Sequence, residues 1–183
     1  MDQPATTSSA SIDEIRIGKL IDLERAHMVA RLLPTSVAGS MIVILILSAV
    51  MWPVVDHGFL LACGTAMMVN QSWRLGIYLR YRRQGLTEAE VPSFSRRWLV
   101  GAGISGAIWS AVAIFYYVPG SPIHQALLVI SVFGVTAVAI PLIAPYPVSF
   151  RLFAIPITIA LTGRLLWEGW QEESLHLLLG LLV

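Results

Sequence analysis

From residue 37 onward the chain is a succession of apolar blocks, most of them close to the thickness of a bilayer, separated by short polar gaps. A hydrocarbon core about 30 Å thick takes roughly 20 apolar residues in helical form to cross. No water is available there to satisfy an open backbone, so only helices or closed barrels can span it. The chain is 56% hydrophobic and only 13% charged, and its mean hydropathy is +0.74. These values exclude an ordinary water-bounded globule. The expected fold class is all-α: an integral membrane bundle of about six transmembrane helices, preceded by an amphipathic helix.

Residues 1–10 are small and polar and read as a disordered leader. Residues 11–34 read as a cytoplasmic or interfacial amphipathic helix. Ile12, Ile15, Leu20, Ile21, Met28 and Leu32 alternate there with charged residues, and Ser11 with Glu14 has capping-box spacing. Such a helix lies on a membrane surface, pairs with a second copy, or simply leads into the membrane. Pro34 is expected to end it. Residues 35–183 form the expected transmembrane domain, with spans at about 37–55, 59–78, 98–118, 125–143 and 151–167. A sixth apolar block, 175–183, has nine residues. At 1.5 Å per residue it reaches only about 13 Å, so the chain is expected to be an excerpt of something longer.

Orientation follows from basic residues, which are retained on the cytoplasmic side of short loops. Arg16, Lys19, Arg25 and Arg31 precede the first span; Arg80, Arg82, Arg83, Arg96 and Arg97 lie between the second and third; Arg151 follows the fourth. The alternate turns at 56–58, 119–124 and 168–174 hold neither Lys nor Arg. Both ends of the chain are therefore expected on the cytoplasmic side. The single cysteine, Cys63, rules out an internal disulfide and any multi-cysteine metal site. There is no run of five or six like charges, and no nucleic-acid partner is expected.

Polar residues inside spans are costly and usually face protein or water. Asn70, Gln71 and Arg74 cluster near the end of the second span, with Asn70 and Arg74 one turn apart on a shared face. They are candidates for signal sensing or relay through inter-helix hydrogen bonds. The plainer reading is that Arg74 snorkels to the interface. His57, His124 and His176 fall near the opposite face with Asp56, Glu168, Glu172 and Glu173. They could titrate or bind a metal, but no ligand spacing supports that, and neither a metal nor a cofactor is expected. Trp109 and its aromatic neighbours Phe115, Tyr116, Tyr117, Trp167 and Trp170 would form an interfacial belt or line an apolar pocket. Gly101, Gly103 and Gly106 give the third span small-xxx-small faces suited to close helix packing, within the bundle or across a dimer. Pro141, Pro145, Pro147 and Pro156 cluster around the junction of the fourth and fifth spans, and Pro156 favours a kink.

The chain carries no Walker loop, nucleophile elbow or zincin motif, no pair of carboxylates within a span, and no convincing inverted repeat. No catalytic residue is assigned. In order along the chain come Trp52-Pro53, His57, Trp73-Arg74, a basic linker to Arg96-Arg97-Trp98, Gly106 with Trp109, and Gly134 in a small-residue span. This order, over about residues 30–183, resembles the multi-span amino-terminal (MASE-like) sensor regions of bacterial diguanylate cyclases, cyclic-di-GMP phosphodiesterases and sensor histidine kinases. The resemblance implies a multi-pass sensor domain of the bacterial inner membrane, dimeric in full-length form. It would respond to a small or lipophilic ligand and relay the signal to a cytoplasmic cyclic-di-GMP or kinase domain. A small transporter or channel subunit, or a structural subunit of a membrane complex, is the rival expectation.

Overall fold

The computed structural model of the chain describes residues 6–171, with side chains described at 14 and 16–170. Five helices carry nearly all of these residues: α1 (Thr6–Met51), α2 (His57–Gln84), α3 (Val91–Phe115), α4 (Pro122–Ile143) and α5 (Pro147–Gln171). No strand occurs among the described residues. Four of the helices, α1, α3, α4 and α5, are long and apolar enough to cross a membrane. α2 has the length but is not in that set, because Asn70, Gln71 and Arg74 interrupt its apolar sequence. Of the six expected spans, the described residues hold four apolar helices and a more polar fifth. The block at 175–183, with His176, lies outside the described residues.

Several boundaries differ from the sequence reading; α3, for example, begins at Val91 rather than 98, and α5 runs over Pro147–Gln171 rather than 151–167. The helix was expected to stop at Pro34, with residues 1–10 disordered, yet α1 begins at Thr6 and passes through Pro34 for 46 residues. Proline removes one backbone donor and crowds the carbonyl four residues back. Here its neighbours Val29 and Leu33 are held at 0% and 1% exposure, so packing outweighs the local cost. The basic stretch after residue 78 was expected to be loop, but α2 continues to Gln84 and carries Arg80, Arg82 and Arg83 on its last turns. Gly85 stops it at φ +75°, a conformation in which a Cβ would be strained. The connection to α3 is then only six residues. It is closed by a Thr87–Glu90 pair in which the backbone N–H and hydroxyl of Thr87 both donate to Glu90 Oε2.

α3 is the hub. It touches all four other helices and packs most extensively along α5, while α1 packs along both α2 and α4. Ala26, Val29 and Leu33 of α1 join one apolar cluster with Tyr81 of α2 and Phe94 of α3, so the mixed-charge part of α1 belongs to the bundle. Outward-facing side chains are largely apolar on every helix: Ile42, Leu61, Val69, Ile104, Phe133 and Ile159 are each at least 40% exposed. A belt of apolar side chains this continuous suits lipid.

Lipid tails are as apolar as leucine, so the helices associate through close packing and inter-helix hydrogen bonds. Both kinds of contact are visible. Trp98 Nε1 donates to Ser149 Oγ at 3.0 Å, Ser95 to the Tyr146 hydroxyl at 3.0 Å, and the Tyr116 hydroxyl lies 3.1 Å from Ser48 Oγ and 3.3 Å from the Leu60 carbonyl. At Gly106 the backbones meet directly. A Cβ built there would lie 2.6 Å from the Leu152 carbonyl oxygen and 3.0 Å from Phe153 Cα. Pro156 stands four residues after Leu152 and has no N–H to return to that carbonyl. That carbonyl oxygen, without its usual donor four residues on, faces Gly106 at a separation that only a residue lacking a Cβ allows.

Candidate functional site

The polar face of α2 turns inward against α3. Asn70 (3% exposed), Gln71 (2%) and Arg74 (5%) are all buried. The spacing that put Asn70 and Arg74 one turn apart on α2 also sets them against the small-residue stretch of α3. Asn70 Nδ2 donates to Ser105 Oγ at 2.8 Å and reaches the Gly101 carbonyl at 3.5 Å. Gln71 Nε2 contacts Met67 Sδ at 3.3 Å, and its Oε1 accepts from Arg74 Nη1 at 3.2 Å.

Arg74 does not snorkel. Its stem packs against Gly101, where an added Cβ would come within 3.2 Å of Arg74 Cγ. Its guanidinium carbon sits 4.8 Å from the centre of the Trp98 ring. Gly101 makes the approach possible and Trp98 supplies a π face. Among the described residues Arg74 has no carboxylate within ion-pairing distance, and its Nε is buried with no acceptor. An arginine in a spanning helix is costly, up to about 2.5–3.5 kcal/mol at the helix centre on insertion scales. One hydrogen bond to a charged group, about 1.5–3 kcal/mol, and a desolvated cation–π contact of about 2 kcal/mol offset that cost. They still leave a guanidinium edge unanswered. Asn70 Oδ1 is likewise buried without a partner.

Arg74 also lines a cavity. A space of about 340 Å³ lies among α1, α2, α3 and α4, closed at one side by Phe153 of α5. Among the described residues Arg74 is its only charged lining residue, beside the hydroxyls of Ser36, Ser40, Ser105 and Ser131; the remaining described lining is apolar or glycine, apart from the Trp98 ring. Both Gly39 and Gly134 face open space where a Cβ would sit. The volume falls within the range of small-molecule pockets, about 300–1,000 Å³. The sequence reading missed the α1 and α4 walls. Their signal was present as small residues at helical spacing, Ser36/Gly39/Ser40 and Ser131/Gly134, obscured by the strongly apolar residues around them.

The other candidates are placed elsewhere. His57 stacks on Trp52 at 4.2 Å and its Nε2 lies 3.1 Å from the Trp52 carbonyl. Asp56 caps α2 by accepting from the Gly58 and Phe59 N–H groups at 2.8 and 3.3 Å. His124 Nδ1 lies 2.6 Å from Ser121 Oγ at the start of α4. Each imidazole is thus tied to its own turn, and no group of three metal-ligating side chains forms among the described residues. Trp109 does not line the cavity: it is 1% exposed in the apolar core, with its Nε1 unpartnered. Tyr116 and Tyr117 are also buried, whereas Phe115, Trp167 and Trp170 face outward as a belt would. Gly101 and Gly106 serve contacts within the bundle, against Arg74 and α5 respectively, while Gly103 meets nothing within 4 Å.

Arg164 escaped the charge argument altogether. It sits near the other end of α5, stacked over Tyr117 at 4.6 Å and paired with Glu168 at 3.7 Å. No family model matches this chain, and searches of curated proteins and of solved structures find no match.

Proposed function

We propose that this chain is the membrane-embedded input module of a bacterial signalling protein, in which the cavity beside Arg74 receives a signal and the helix bundle relays it to a cytoplasmic output. The observation that supports this most is the buried Asn70–Gln71–Arg74 cluster. It couples α2 to α3 by a hydrogen bond, and the same Arg74 lines a cavity in the bundle. Ligand binding can shift a protein between two packings only through different affinities for them. Occupants of this cavity touch α1, α3 and α4 together, and α3 carries the largest contact with α5. A change in the α3–α5 pair is the direct route to the carboxyl-terminal side of the bundle. The wider reading has a homodimer in the inner membrane, both ends cytoplasmic, and cyclic-di-GMP turnover or histidine kinase activity as output. It rests on the sequence resemblance and on the arginine pattern.

The test is a fusion of the full chain to a diguanylate cyclase domain, with cellular cyclic-di-GMP as readout. Asn70→Leu and Gln71→Leu are expected to change output several-fold at equal membrane abundance. Output equal to wild type in both variants would refute the relay. A small transporter is the second reading, favoured by the three prolines, Pro34, Pro141 and Pro156, that lie inside helices lining the cavity or bordering it. Solute uptake into proteoliposomes that depends on Arg74 would replace the sensor reading with that one.

A further inference from the structure

We infer that the cavity binds an anionic amphiphile, a single alkyl chain with a carboxylate or phosphate head, seated with its head on Arg74 and its chain along the α1–α4 seam. This deepens the reading of the cavity as an input site by naming the class of molecule it takes.

The head is specified by Arg74. A guanidinium stays charged and offers donors in a rigid fork that matches carboxylate and phosphate oxygens. Here the side chain is 5% exposed, and among the described residues its Nε lacks an acceptor and the only acceptor met by the rest of the head is the neutral Gln71 Oε1. Among the described residues no acidic side chain lines the cavity to compete for it. The Ser36, Ser40, Ser105 and Ser131 hydroxyls add further donors to the lining. A cationic ligand would meet an uncompensated positive charge.

The tail is specified by the rest of the wall. From Ile143 to Ile130, lining residues of α4 span thirteen positions, a rise of about 20 Å. The space is elongated, and apart from Arg74 and the serines its lining offers no polar side chain beyond the Trp98 indole, whose N–H is already given to Ser149. It is open to the outside of the bundle on the side of α1 and α4, where the lining residues Ile46, Ile130 and Val138 are 57%, 68% and 63% exposed. In a bilayer that mouth faces lipid tails, so an alkyl chain entering from the membrane stays in apolar surroundings throughout. A free inorganic anion would gain the charge contact but leave the long apolar part of the cavity unfilled.

The test uses the full chain in phosphatidylcholine nanodiscs, with bound ligand counted by native mass spectrometry. The probes are dodecanoate, dodecyl phosphate, dodecanol, dodecyltrimethylammonium and inorganic phosphate. One equivalent of dodecanoate or dodecyl phosphate is expected, with the other three at least tenfold weaker. Arg74→Gln should weaken dodecanoate at least tenfold, and Arg74→Lys should recover only part of it. Gly134→Leu, which fills the cavity without touching the charge, should do the same as Arg74→Gln, while Gly103→Ala on the outward face of α3 should bind as wild type. If Arg74→Gln does not fold, Gly134→Leu decides. Dodecanol binding as tightly as dodecanoate, wild-type affinity in Gly134→Leu, or no binding of either anion would overturn the inference. Nanodiscs containing phosphatidylglycerol separate two sources of the same chemistry. Retained dodecanoate binding there identifies a free single-chain amphiphile as occupant and supports the assignment, whereas its loss shows that a two-chain phospholipid takes the site and overturns the single-chain assignment. Dodecanoate binding with no effect on the cyclase fusion would remove the input reading and keep the ligand. A fusion responsive to Asn70→Leu in a protein that binds neither anion would do the reverse.

Discussion

Gly106→Ala isolates the contact on which the α3–α5 pair is built. The new Cβ would lie 2.6 Å from the Leu152 carbonyl oxygen and 3.0 Å from both the Phe153 Cα and its carbonyl oxygen. All three atoms are backbone, so no side-chain rotation relieves the overlap. Restoring an ordinary separation of about 3.4 Å requires the two helices to part by about 0.8 Å locally. A gap of 0.5–1 Å forfeits roughly a quarter to a half of each dispersion well along the seam. Overpacking of this kind typically costs about 1–3 kcal/mol. The gain in helix propensity from Gly to Ala, at most about 1 kcal/mol, offsets only part. A net destabilisation of about 1–3 kcal/mol is expected. Gly103→Ala is the matched control on the same helix: nothing lies within 4 Å of its Cβ position, so only the propensity gain remains and stability should hold or rise. Reversible unfolding in mixed micelles, followed by circular dichroism against denaturing detergent, measures both. If Gly106→Ala were as stable as Gly103→Ala, the close-contact account of the α3–α5 interface would fail.

Three further outcomes follow from named contacts. Asn70→Leu and Ser105→Ala should each destabilise, and a double-mutant cycle should give a coupling of about 0.6 kcal/mol and no more than about 1.7, the range for hydrogen bonds between membrane helices; zero coupling would place the 2.8 Å contact outside the energetics. Asp56→Ala removes the acceptor for the Gly58 and Phe59 N–H groups and should cost about 1 kcal/mol, whereas Asp56→Asn should recover most of it, as read by thermal unfolding in detergent. In a Cys63→Ser background, a cysteine at Arg83 should resist labelling by an impermeant maleimide in intact cells and react after lysis; labelling in intact cells would reverse the orientation.

Apolar block length and the gaps between blocks determined that this chain is a helical bundle for lipid, because a backbone in hydrocarbon must satisfy its own hydrogen bonds. The pairing of Asn70 with Arg74 on one face was equally legible, since it needs only the 3.6-residue period. Tertiary structure decided what that face meets. The pattern is silent on whether Arg74 reaches water or Trp98, and on whether Gly106 or Gly103 touches a neighbour, because small residues look alike until a partner backbone is placed against one of them. The continuity of α1 through Pro34 was also a tertiary decision: a lost backbone donor is local, whereas the packing of Val29 and Leu33 that outweighs it comes from helices distant in sequence. The cavity belongs to the same class. Four helices contribute its walls, with Phe153 closing one side, and no single segment carries the information that the space between them stays open.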